Sequence, residues 1–393
     1  MRWRMWIVIL IVGLTISIVS LVFLPSGWLV SSQGGPVHYR TDIYASYQYN
    51  TLKNPTGLLV LPDNLGWTHL YVADSGNHQI RRFRIGSGPL VVVSGTGAPG
   101  YVNGSTSQAQ FNYPTGLSGT AGIYAWQDFY TGQIRTGTYH NVFIGDTQNY
   151  VVRKLCANVG AGPYPPCQTV QTACGSHTKG MVDGSSASAC FASLAGLSVY
   201  NGTEYYMADA ENHSIREWDG SNVSTYAGDG YPGFVDGYRT SARFTVPGKT
   251  TSDSSGNMYV ADIGNNAVRK IAADGYVSTP AGAGPMDPGY ADGAGSAAKF
   301  SRPTAVVFNA SDGMTYIADS HNNCIRRMDG SGNVTTYAGS TEPGLVNGSL
   351  AEARFRMPTD LVIVNGVMYI SDSANNVIRR INMASGVVST YLS

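Results

Sequence analysis

Residues 71–83 read YVADSGNHQIRRF, and this segment determines the fold because five variants of it follow in the chain. The variants begin at Phe143, Tyr206, Tyr259, Tyr316 and Tyr369. Each copy places an Asn three residues and an Arg seven residues after one Asp, and apolar residues six and nine after it. The aspartates are Asp74, Asp146, Asp209, Asp262, Asp319 and Asp372. Recurrence of one unit at a period of roughly 50–70 residues is typical of a repeat architecture.

The composition predicts an all-β fold. The chain of 393 residues contains 48 Gly and 25 Tyr, and its short apolar runs are separated by Gly, Asn, Asp and Pro in the manner of strands and turns. Basic and acidic side chains number 25 each. Nucleic-acid binding usually requires an excess of basic side chains, so the sequence predicts no nucleic-acid partner.

The N-terminus predicts export from the cytosol. Residues 1–4 would form a short basic cytoplasmic end, and residues 5–24 form an uncharged apolar run. About 20 apolar residues suit a membrane-spanning helix, whereas the core of a signal peptide usually has about 7–15. We therefore expect an N-terminal hydrophobic helix that serves as a transmembrane signal anchor, with a cleaved signal peptide as the alternative. Residues 25–45, rich in Ser, Gly and Pro, would be a stalk, and residues 46–393 the repeat domain.

Each repeat predicts four strands, with the D-x-x-N turn between the second and the third. In the links between repeats, an Asp-Gly or Asn-Gly pair is followed by Ala five residues and by Phe seven residues after its Gly. The glycines of these links are Gly104, Gly184, Gly237, Gly293 and Gly348. Open solenoids tend to have atypical polar repeats at their ends, yet the last copy here is as regular as the middle ones. We therefore predict a closed ring, a six-bladed β-propeller of four-stranded blades.

The alternation of link and repeat also carries a family resemblance. Residues 223–248 and 257–271 read VSTYAGDGYPGFVDGYRTSARFTVPG and NMYVADIGNNAVRKI. This pattern resembles NHL repeats, which are named for Asn-His-Leu, and Asn77-His78 and Asn212-His213 match the first two letters. The resemblance covers residues 50–393 and implies a six-bladed propeller. It implies little about function, because propellers include both binding modules and enzymes.

The repeated Asp, Asn and Arg are interpreted as structural residues. Asp and Asn form turns by bonding to nearby backbone amides, and an Arg in every third strand would pair with a carboxylate between blades. A residue needed once for chemistry has no reason to occur six times. The repeated Phe of each link is expected to be a buried apolar plug.

A metal-dependent lyase or hydrolase with its site in the central channel is the alternative function. The resemblance extends to the peptide-amidating lyases, which are propellers of related architecture that hold a metal with His side chains from several blades. The matching position, four residues after the repeat Asp, holds His78 and His213 but Tyr or Asn in the other copies. Two imidazoles are fewer than the three protein ligands typical of catalytic zinc. We therefore expect no catalysis and no cofactor, with a Ca or Zn ion in the channel as the alternative.

Four of the five cysteines fall in the second repeat. Cys156 ends its third strand and Cys167 begins its fourth, so the two side chains should face each other in a hairpin. Cys174 follows the fourth strand, and Cys190 lies in the next link. An exported chain favours disulfides, which predicts the bridges Cys156–Cys167 and Cys174–Cys190, with a zinc site as the alternative. Cys324 is expected to be a small buried thiol.

The second repeat also has the longest insertion between first and second strands, residues 119–140. The insertion carries five aromatic side chains, Tyr124, Trp126, Phe129, Tyr130 and Tyr139. In a meandering blade it lies on the same face as the Cys156–Cys167 hairpin, opposite the D-x-x-N turns. Aromatic side chains are enriched in binding anchors, and the alternative is that they fill a small core of the insertion itself. The insertion is the candidate binding site for a protein or glycan partner.

Six sequons of the form Asn-x-Ser/Thr are candidates for glycosylation, at Asn103, Asn201, Asn222, Asn309, Asn333 and Asn347. They agree with a secretory route. The sequence thus predicts a binding or scaffold propeller outside the cytosol. It would be secreted, or held at the membrane by its N-terminal segment as a single-pass protein.

Overall fold

The computed structural model of the chain describes residues 6–12, 15–24, 27–31, 51–127, 133–159, 168–200 and 202–393. The chain divides into two compact units, Met1–Asn50 and Thr51–Ser393. The predicted stalk, residues 25–45, therefore lies mostly outside the described residues.

The first unit contains strands where the sequence predicted a helix. The strands are β1 (Trp6–Val12), β2 (Thr15–Leu24) and β3 (Gly27–Ser31), and they pair antiparallel in the order β1-β2-β3. The apolar run is rich in Ile and Val, whose branched side chains suit strands, and an apolar run alone does not separate strand from helix. In the part of the chain that the structure describes, no helix is long and apolar enough to span a membrane.

The second unit consists of six antiparallel sheets, the blades, in each of which the four long strands pair in chain order. Blade 1 has β4 (Pro55–Pro62), β5 (Thr68–Asp74), β6 (Gln79–Arg84) and β7 (Val91–Ser94). Blade 2 has β8 (Gly104–Ser105), β9 (Pro114–Gln127), β10 (Ile134–Asp146), β11 (Val151–Asn158) and β12 (Thr169–Cys174). Blade 3 has β13 (Gly184–Ser185), β14 (Leu194–Tyr200), β15 (Glu204–Asp209), β16 (Ser214–Trp218) and β17 (Asn222–Ala227).

Blades 4 to 6 repeat the same order. Blade 4 has β18 (Gly237–Tyr238), β19 (Pro247–Ser252), β20 (Met258–Asp262), β21 (Ala267–Ile271) and β22 (Tyr276–Ala281). Blade 5 has β23 (Gly293–Ala294), β24 (Pro303–Asn309), β25 (Met314–Asp319), β26 (Cys324–Met328) and β27 (Asn333–Gly339). Blade 6 has β28 (Gly348–Ser349), β29 (Pro358–Val364), β30 (Val367–Asp372), β31 (Val377–Asn382) and β32 (Val387–Leu392).

Short 3-10 helices form the D-x-x-N turns and two of the links. The turn helices are Ser75–Asn77, Thr147–Asn149, Ala210–Asn212, Ile263–Asn265, Ser320–Asn322 and Ser373–Asn375. The link helices are Arg239–Ser241 and Gly295–Ala297.

The blades close into a ring. The first long strand of each blade contacts that of the next, from β4 through β9, β14, β19, β24 and β29, and β29 contacts β4 again. The six-bladed propeller predicted from the repeats is thereby confirmed, with these strands around a central channel.

The prediction of four strands per blade is wrong for blades 2 to 6, which have five. In blade 2 the extra strand consists of two link residues, because Gly104 pairs with Val170 and Ser105 with Thr169 on the outermost strand. The equivalent pairs in the other blades follow their own Asp-Gly or Asn-Gly turns. A pair of residues has no periodicity, so the sequence pattern does not show this strand.

The core lies between the blades and under the links. The repeated Phe of each link is fully buried, at Phe111, Phe191, Phe244, Phe300 and Phe355. Leu52, three residues before Pro55, takes the same place before blade 1 and is 3% exposed. Burying one such side chain contributes roughly 1.5–3 kcal/mol to stability, so these side chains act as the plugs that the sequence predicted.

The repeated Asp, Asn and Arg form one buried network in each blade. In blade 4, Oδ2 of Asp262 accepts hydrogen bonds from Nδ2 of Asn265 at 2.7 Å and Nη1 of Arg269 at 2.9 Å. Its Oδ1 accepts the backbone N–H of Thr245 in the preceding link at 2.8 Å. Nη2 of Arg269 reaches Oδ1 of Asp236 in the same link at 2.8 Å. The Arg thus pairs with the carboxylate of its own blade and fastens the link that enters it.

Candidate functional site

One position on the channel-lining strands breaks the repeat. Two residues after the first residue of each such strand, four blades carry a small residue, Gly57, Gly116, Gly196 or Ala305. The strands approach closely here, since a Cβ on Gly57 would lie 1.8 Å from the carbonyl oxygen of Thr115. Blades 4 and 6 carry charged residues at the same position, and these are Lys249 and Asp360.

Lys249 and Asp360 form an ion pair inside the channel. Nζ of Lys249 lies 2.6 Å from Oδ1 of Asp360, and the side chains are 14% and 6% exposed. The other oxygen of Asp360, Oδ2, accepts the backbone N–H of Leu58 at 2.7 Å. Burial raises the pKa of Asp360, and the charge of Lys249 opposes that shift. One carboxylate therefore contacts blades 1 and 4 as well as its own blade 6.

The channel contains a cavity on each side of this level. The larger has a volume of about 360 Å³ and opens where the channel-lining strands end. The smaller, about 160 Å³, is lined by Lys249, Asp360 and the small residues at the start of these strands. Lys249 lines both cavities, so the ion pair lies between them.

The polar side chains of the larger cavity lie on one side of its wall, whereas apolar side chains lie on both sides. The polar side chains come from blades 2, 3 and 4 and are Ser118, Ser198, Tyr200, Lys249, Thr250, Thr251, Ser252 and Asp253. The apolar ones come mainly from blades 1, 5 and 6 and include Leu58, Leu59, Val60, Val307 and Val362. A cavity above about 300 Å³ with a few polar groups is the usual form of a small-molecule site.

The aromatic insertion of blade 2 is a long β-hairpin. Strands β9 and β10 continue past the blade, with Tyr139 opposite Gly122 and Tyr124 opposite Gly137. Each ring covers the opposite glycine, since a Cβ on Gly122 would lie 2.3 Å from the ring of Tyr139 and one on Gly137 2.6 Å from that of Tyr124. The ring of Trp126 stacks on Tyr124 at a centroid distance of 5.4 Å. We call this part, residues 119–127 and 133–140, the aromatic hairpin.

The described rings lie on one face of the aromatic hairpin and are half-buried. Tyr124, Trp126 and Tyr139 are all of intermediate exposure, while Ile123 on the other face is 67% exposed. Phe129 and Tyr130 lie outside the described residues. The glycines beneath the rings explain the burial, and the rings retain enough exposed surface to contact a partner.

Two neighbours hold the aromatic hairpin. In the first contact, Oγ1 of Thr138 donates to Oδ1 of Asn64 in blade 1 at 2.6 Å. In the second, Oη of Tyr124 donates to Oδ1 of Asn158 at 3.3 Å, and Asn158 pairs with Tyr139 at the end of β11. The hairpin therefore lies beside the end of β11, on the face opposite the D-x-x-N turns.

A cluster of buried titratable side chains joins blade 1 to the base of the aromatic hairpin. Nδ1 of His140 accepts a hydrogen bond from Oη of Tyr71 at 2.9 Å, and its Nε2 donates to the carbonyl oxygen of Pro62 at 2.9 Å. Burial lowers the pKa of His140 from 6.5 to about 4. Nε2 of His69 lies 3.0 Å from Oδ2 of Asp63, and burial lowers the pKa of His69. Both imidazoles are therefore neutral at pH 7.

The two His residues of the metal-site alternative connect neighbouring blades. Nδ1 of His78 accepts the backbone N–H of Tyr113 at 3.1 Å, and Nδ1 of His213 accepts that of Val246 at 3.1 Å. In blade 4, Oδ1 of Asn266 takes the equivalent bond. All residues at this position have a positive φ of 50–59°, a conformation that Asn and His tolerate. The exchange of His for Asn between blades follows from this shared acceptor role.

Within the described residues, no group of three or more His, Cys, Asp or Glu side chains is placed to hold a metal ion. His78 and His213 use their Nδ1 atoms for the contacts between blades. The cavity walls are formed by other residue types, with Lys249 and Asp253 as the charged side chains of the larger cavity.

The predicted bridge between Cys174 and Cys190 is wrong, because both are free thiols. Cys174 is buried against Phe191 and Met207 between blades. Cys190 is half-buried and points the other way from its neighbour Phe191, with its Sγ 3.1 Å from Oγ of Ser176. Burial raises the pKa of Cys174. The two thiols therefore lie in different surroundings.

The other cysteines were predicted with partial success. Cys324 is fully buried and free, as expected. Cys156 is disulfide-bonded. Cys167 lies outside the described residues, so its pairing with Cys156 stays a prediction.

Two of the sequons have a structural role. Oδ1 of Asn103 accepts from Nη2 of Arg153 at 2.7 Å, and Oδ1 of Asn347 accepts from Nη2 of Arg379 at 3.0 Å. They stand where other links have Asp, so their amides complete the buried network. The remaining candidates are exposed at Asn222 and Asn333 and half-buried at Asn309. Asn201 lies outside the described residues.

The chain is similar in sequence to several known proteins. No family model matches the chain. The chain is 25% identical over 349 residues to SUPPRESSOR OF QUENCHING 1 of Arabidopsis thaliana, covering 82% of this chain and 30% of that protein. It is 26% identical over 353 residues to human NHL repeat-containing protein 2, covering 81% of this chain and 46% of that protein. The chain thus spans less than half the length of these curated relatives.

A solved structure supports the fold. An auxiliary nutrient binding protein from Bacteroides thetaiotaomicron superposes with a TM-score of 0.57 at 15% identity, covering 86% of this chain and 70% of that one. The closed ring and the six D-x-x-N repeats define a β-propeller. More narrowly, the similarity to NHL repeat-containing protein 2 and the six-bladed ring support an NHL-repeat propeller.

Proposed function

We propose that the propeller is a binding or scaffold module outside the cytosol and that its aromatic hairpin contacts a protein or glycan partner. The observation that carries the proposal is the set of half-exposed rings, Tyr124, Trp126 and Tyr139, on one face of a hairpin that extends beyond its blade. Aromatic side chains offer large contact areas at low entropic cost. The function needs no cofactor.

The rigidity of the aromatic hairpin favours a binding role. The rings cover glycines of the opposite strand, and the pair Thr138 and Asn64 fixes the hairpin to blade 1. A pre-ordered surface has a smaller entropic cost of binding than a mobile loop. One fold neighbour is a nutrient binding protein, which supports a binding function for the ring.

The location outside the cytosol is supported by the sequence. The apolar run of residues 5–24 follows a basic end, and exposed sequons occur at Asn222 and Asn333. Expression in a eukaryotic secretory host, followed by glycopeptide mass spectrometry, tests this location. Unmodified asparagines at both sequons, with the chain in the cytosolic fraction, would contradict it.

A paired substitution tests the binding site. The full-length chain and the variant Y124A/W126A would be applied to a glycan array and to an array of extracellular proteins. We expect loss of the array signals in the variant, with an unchanged melting temperature. Ile123→Ala, on the other face of the same hairpin, is the matched control and should leave the signals intact. Equal signals from all three proteins would exclude the ring face as the contact.

A further inference from the structure

We propose that the larger channel cavity binds a neutral, hydroxyl-rich ligand of the size of one hexose ring. The ligand would be either a free monosaccharide or the terminal residue of a glycan. The site is separate from the aromatic hairpin and does not depend on it. The inference rests on the size of the cavity, the division of its wall and its charge.

The volume of the cavity limits the ligand to one ring. At about 360 Å³, it lies near the lower end of the range of about 300–1,000 Å³ usual for small-molecule sites. The channel narrows beneath it, where the small residues bring the strands together and the pair Lys249–Asp360 crosses the channel. A ligand therefore enters from the side on which the channel-lining strands end.

The wall matches a ring with hydroxyls on its edge and C–H groups on its face. Two hydroxyls of the polar side, those of Ser118 and Ser252, have no hydrogen-bond partner among the described residues, whereas the hydroxyl of Tyr200 lies against Gly256 in the loop after β19. The opposite side presents aliphatic side chains such as Val60 and Val307. Since a sugar ring has both kinds of surface, it satisfies both sides of the wall, whereas a purely apolar ligand would leave the hydroxyls unpaired.

The charges at the cavity favour a neutral ligand. Nζ of Lys249 is neutralised by Asp360 at 2.6 Å. Asp253 is occupied by its own turn, where Oδ1 accepts the backbone N–H of Ser255 and of Asn257, both at 2.9 Å. Its Oδ2 accepts Nδ2 of Asn257 at 2.8 Å. A charged ligand would lose hydration without a free counter-charge in the cavity wall.

The test uses the full-length protein and named sugars. Saturation-transfer NMR and calorimetry would measure binding of D-glucose, D-galactose and D-mannose. Glucuronate and glucosamine serve as charged counterparts of the same size. Oligosaccharides ending in the bound hexose distinguish the two sources, since a glycan end requires them to bind at least as tightly as the free sugar. We expect saturable binding of at least one neutral hexose below about 50 mM and weaker binding of both charged analogues.

Two variants locate the site. Val307→Phe fills the cavity and should weaken binding by about tenfold or more, while Ser118→Ala removes one hydroxyl of the cavity wall and should weaken it by about three- to tenfold. Val387→Phe adds the same volume on an exposed outer strand and should leave binding unchanged, as should Trp126→Ala. If Val307→Phe does not fold, Ser118→Ala alone decides.

Three results would overturn the proposal. They are absence of saturable hexose binding, binding by Ser118→Ala equal to that of the wild type, and tighter binding of either charged analogue. Loss of hexose binding in Trp126→Ala would move the site to the aromatic hairpin and would also overturn it. Failure of the aromatic hairpin as a partner site leaves this proposal untouched.

Discussion

Nζ of Lys249 in blade 4 lies 2.6 Å from Oδ1 of Asp360 in blade 6, across the channel from one blade to another that is not its neighbour. Asp360 also accepts the backbone N–H of Leu58 in blade 1. The same carboxylate therefore joins three blades, and one of its contacts crosses the junction between the last blade and the first.

Asp360→Asn tests the importance of this pair. The variant keeps an oxygen for Leu58 but leaves the charge of Lys249 without its partner in a largely buried place. We expect the free energy of unfolding in urea to fall by about 3–5 kcal/mol. The double variant K249M/D360L, which removes both charges, should recover much of the loss. An Asp360→Asn variant as stable as the wild type would show that solvent compensates the unpaired charge of Lys249.

The residue four positions after the repeat Asp is predicted to need an acceptor and a positive φ. His213→Asn should change stability by less than about 0.5 kcal/mol, because Asn266 performs the same role in the next blade. His213→Ala should cost about 1–2 kcal/mol through the lost hydrogen bond and the strained backbone. Thermal unfolding of the two variants, with zinc and with a chelator, provides the measurement. A zinc-dependent melting temperature in the wild type that is lost in His213→Asn would favour the metal site instead.

His140 is predicted to make stability depend on pH. Its folded pKa is lowered from 6.5 to about 4, so the unfolded chain binds the proton more readily between these values. Stability is therefore complete above pH 6.5 and is lost as the pH falls towards about 4, by up to roughly 3 kcal/mol. His140→Gln removes this contribution. His69, Arg82 and Asp63 surround the imidazole and remain in the variant.

The measurement for His140 is the difference between wild type and His140→Gln in urea-unfolding free energy at pH 7 and at pH 4.5. Burial raises the pKa of the aspartates of the blade networks, to about 6 for Asp262 and Asp319. In both proteins these aspartates make the free energy of unfolding change with pH in the direction opposite to the effect of His140. The difference between the proteins cancels this contribution. A constant difference between the two pH values would contradict the role of His140.

The thiols are predicted to differ in reactivity. Cys190 is half-buried and should react with iodoacetamide in the native protein, whereas the buried Cys174 and Cys324 should react only after unfolding. Peptide mass spectrometry without reduction should find Cys156 joined to Cys167. A cross-linked peptide containing Cys174 and Cys190 would contradict the structure.

The repeats made most of the ring predictable. Six copies of one pattern establish the blades, the turns and the buried Phe plugs, because each feature recurs at a fixed spacing. The fifth strand was not predictable because it consists of two residues, such as Gly104 and Ser105, whose pairing depends on the assembled blade. The N-terminal strands were wrongly predicted as a helix because a run of Val and Ile suits strand and helix alike.

The candidate sites were predicted unevenly. The length of the insertion in blade 2 predicted the aromatic hairpin as a candidate site. That its glycines lie beneath the rings became clear only from the register of the strands. Lys249 and Asp360 were missed, although alignment of the six repeats shows charges where other copies have Gly or Ala. Their pairing was not predictable, because nothing in a repeat pattern indicates contact between blades 4 and 6.

The junction between blades 6 and 1 gives the ring a mechanical property. Five junctions are crossed by the chain itself, whereas among the described residues no chain segment joins blade 6 to blade 1, and every sheet of the ring belongs to a single blade. This junction is held by the bonds of Asn54 to Asn376 and Leu58 to Asp360, by Pro55 with Ser373, and by an apolar cluster. The first and last blades can therefore separate while each blade keeps its own sheet. Amide hydrogen exchange at this junction would report such local opening before the blades themselves unfold.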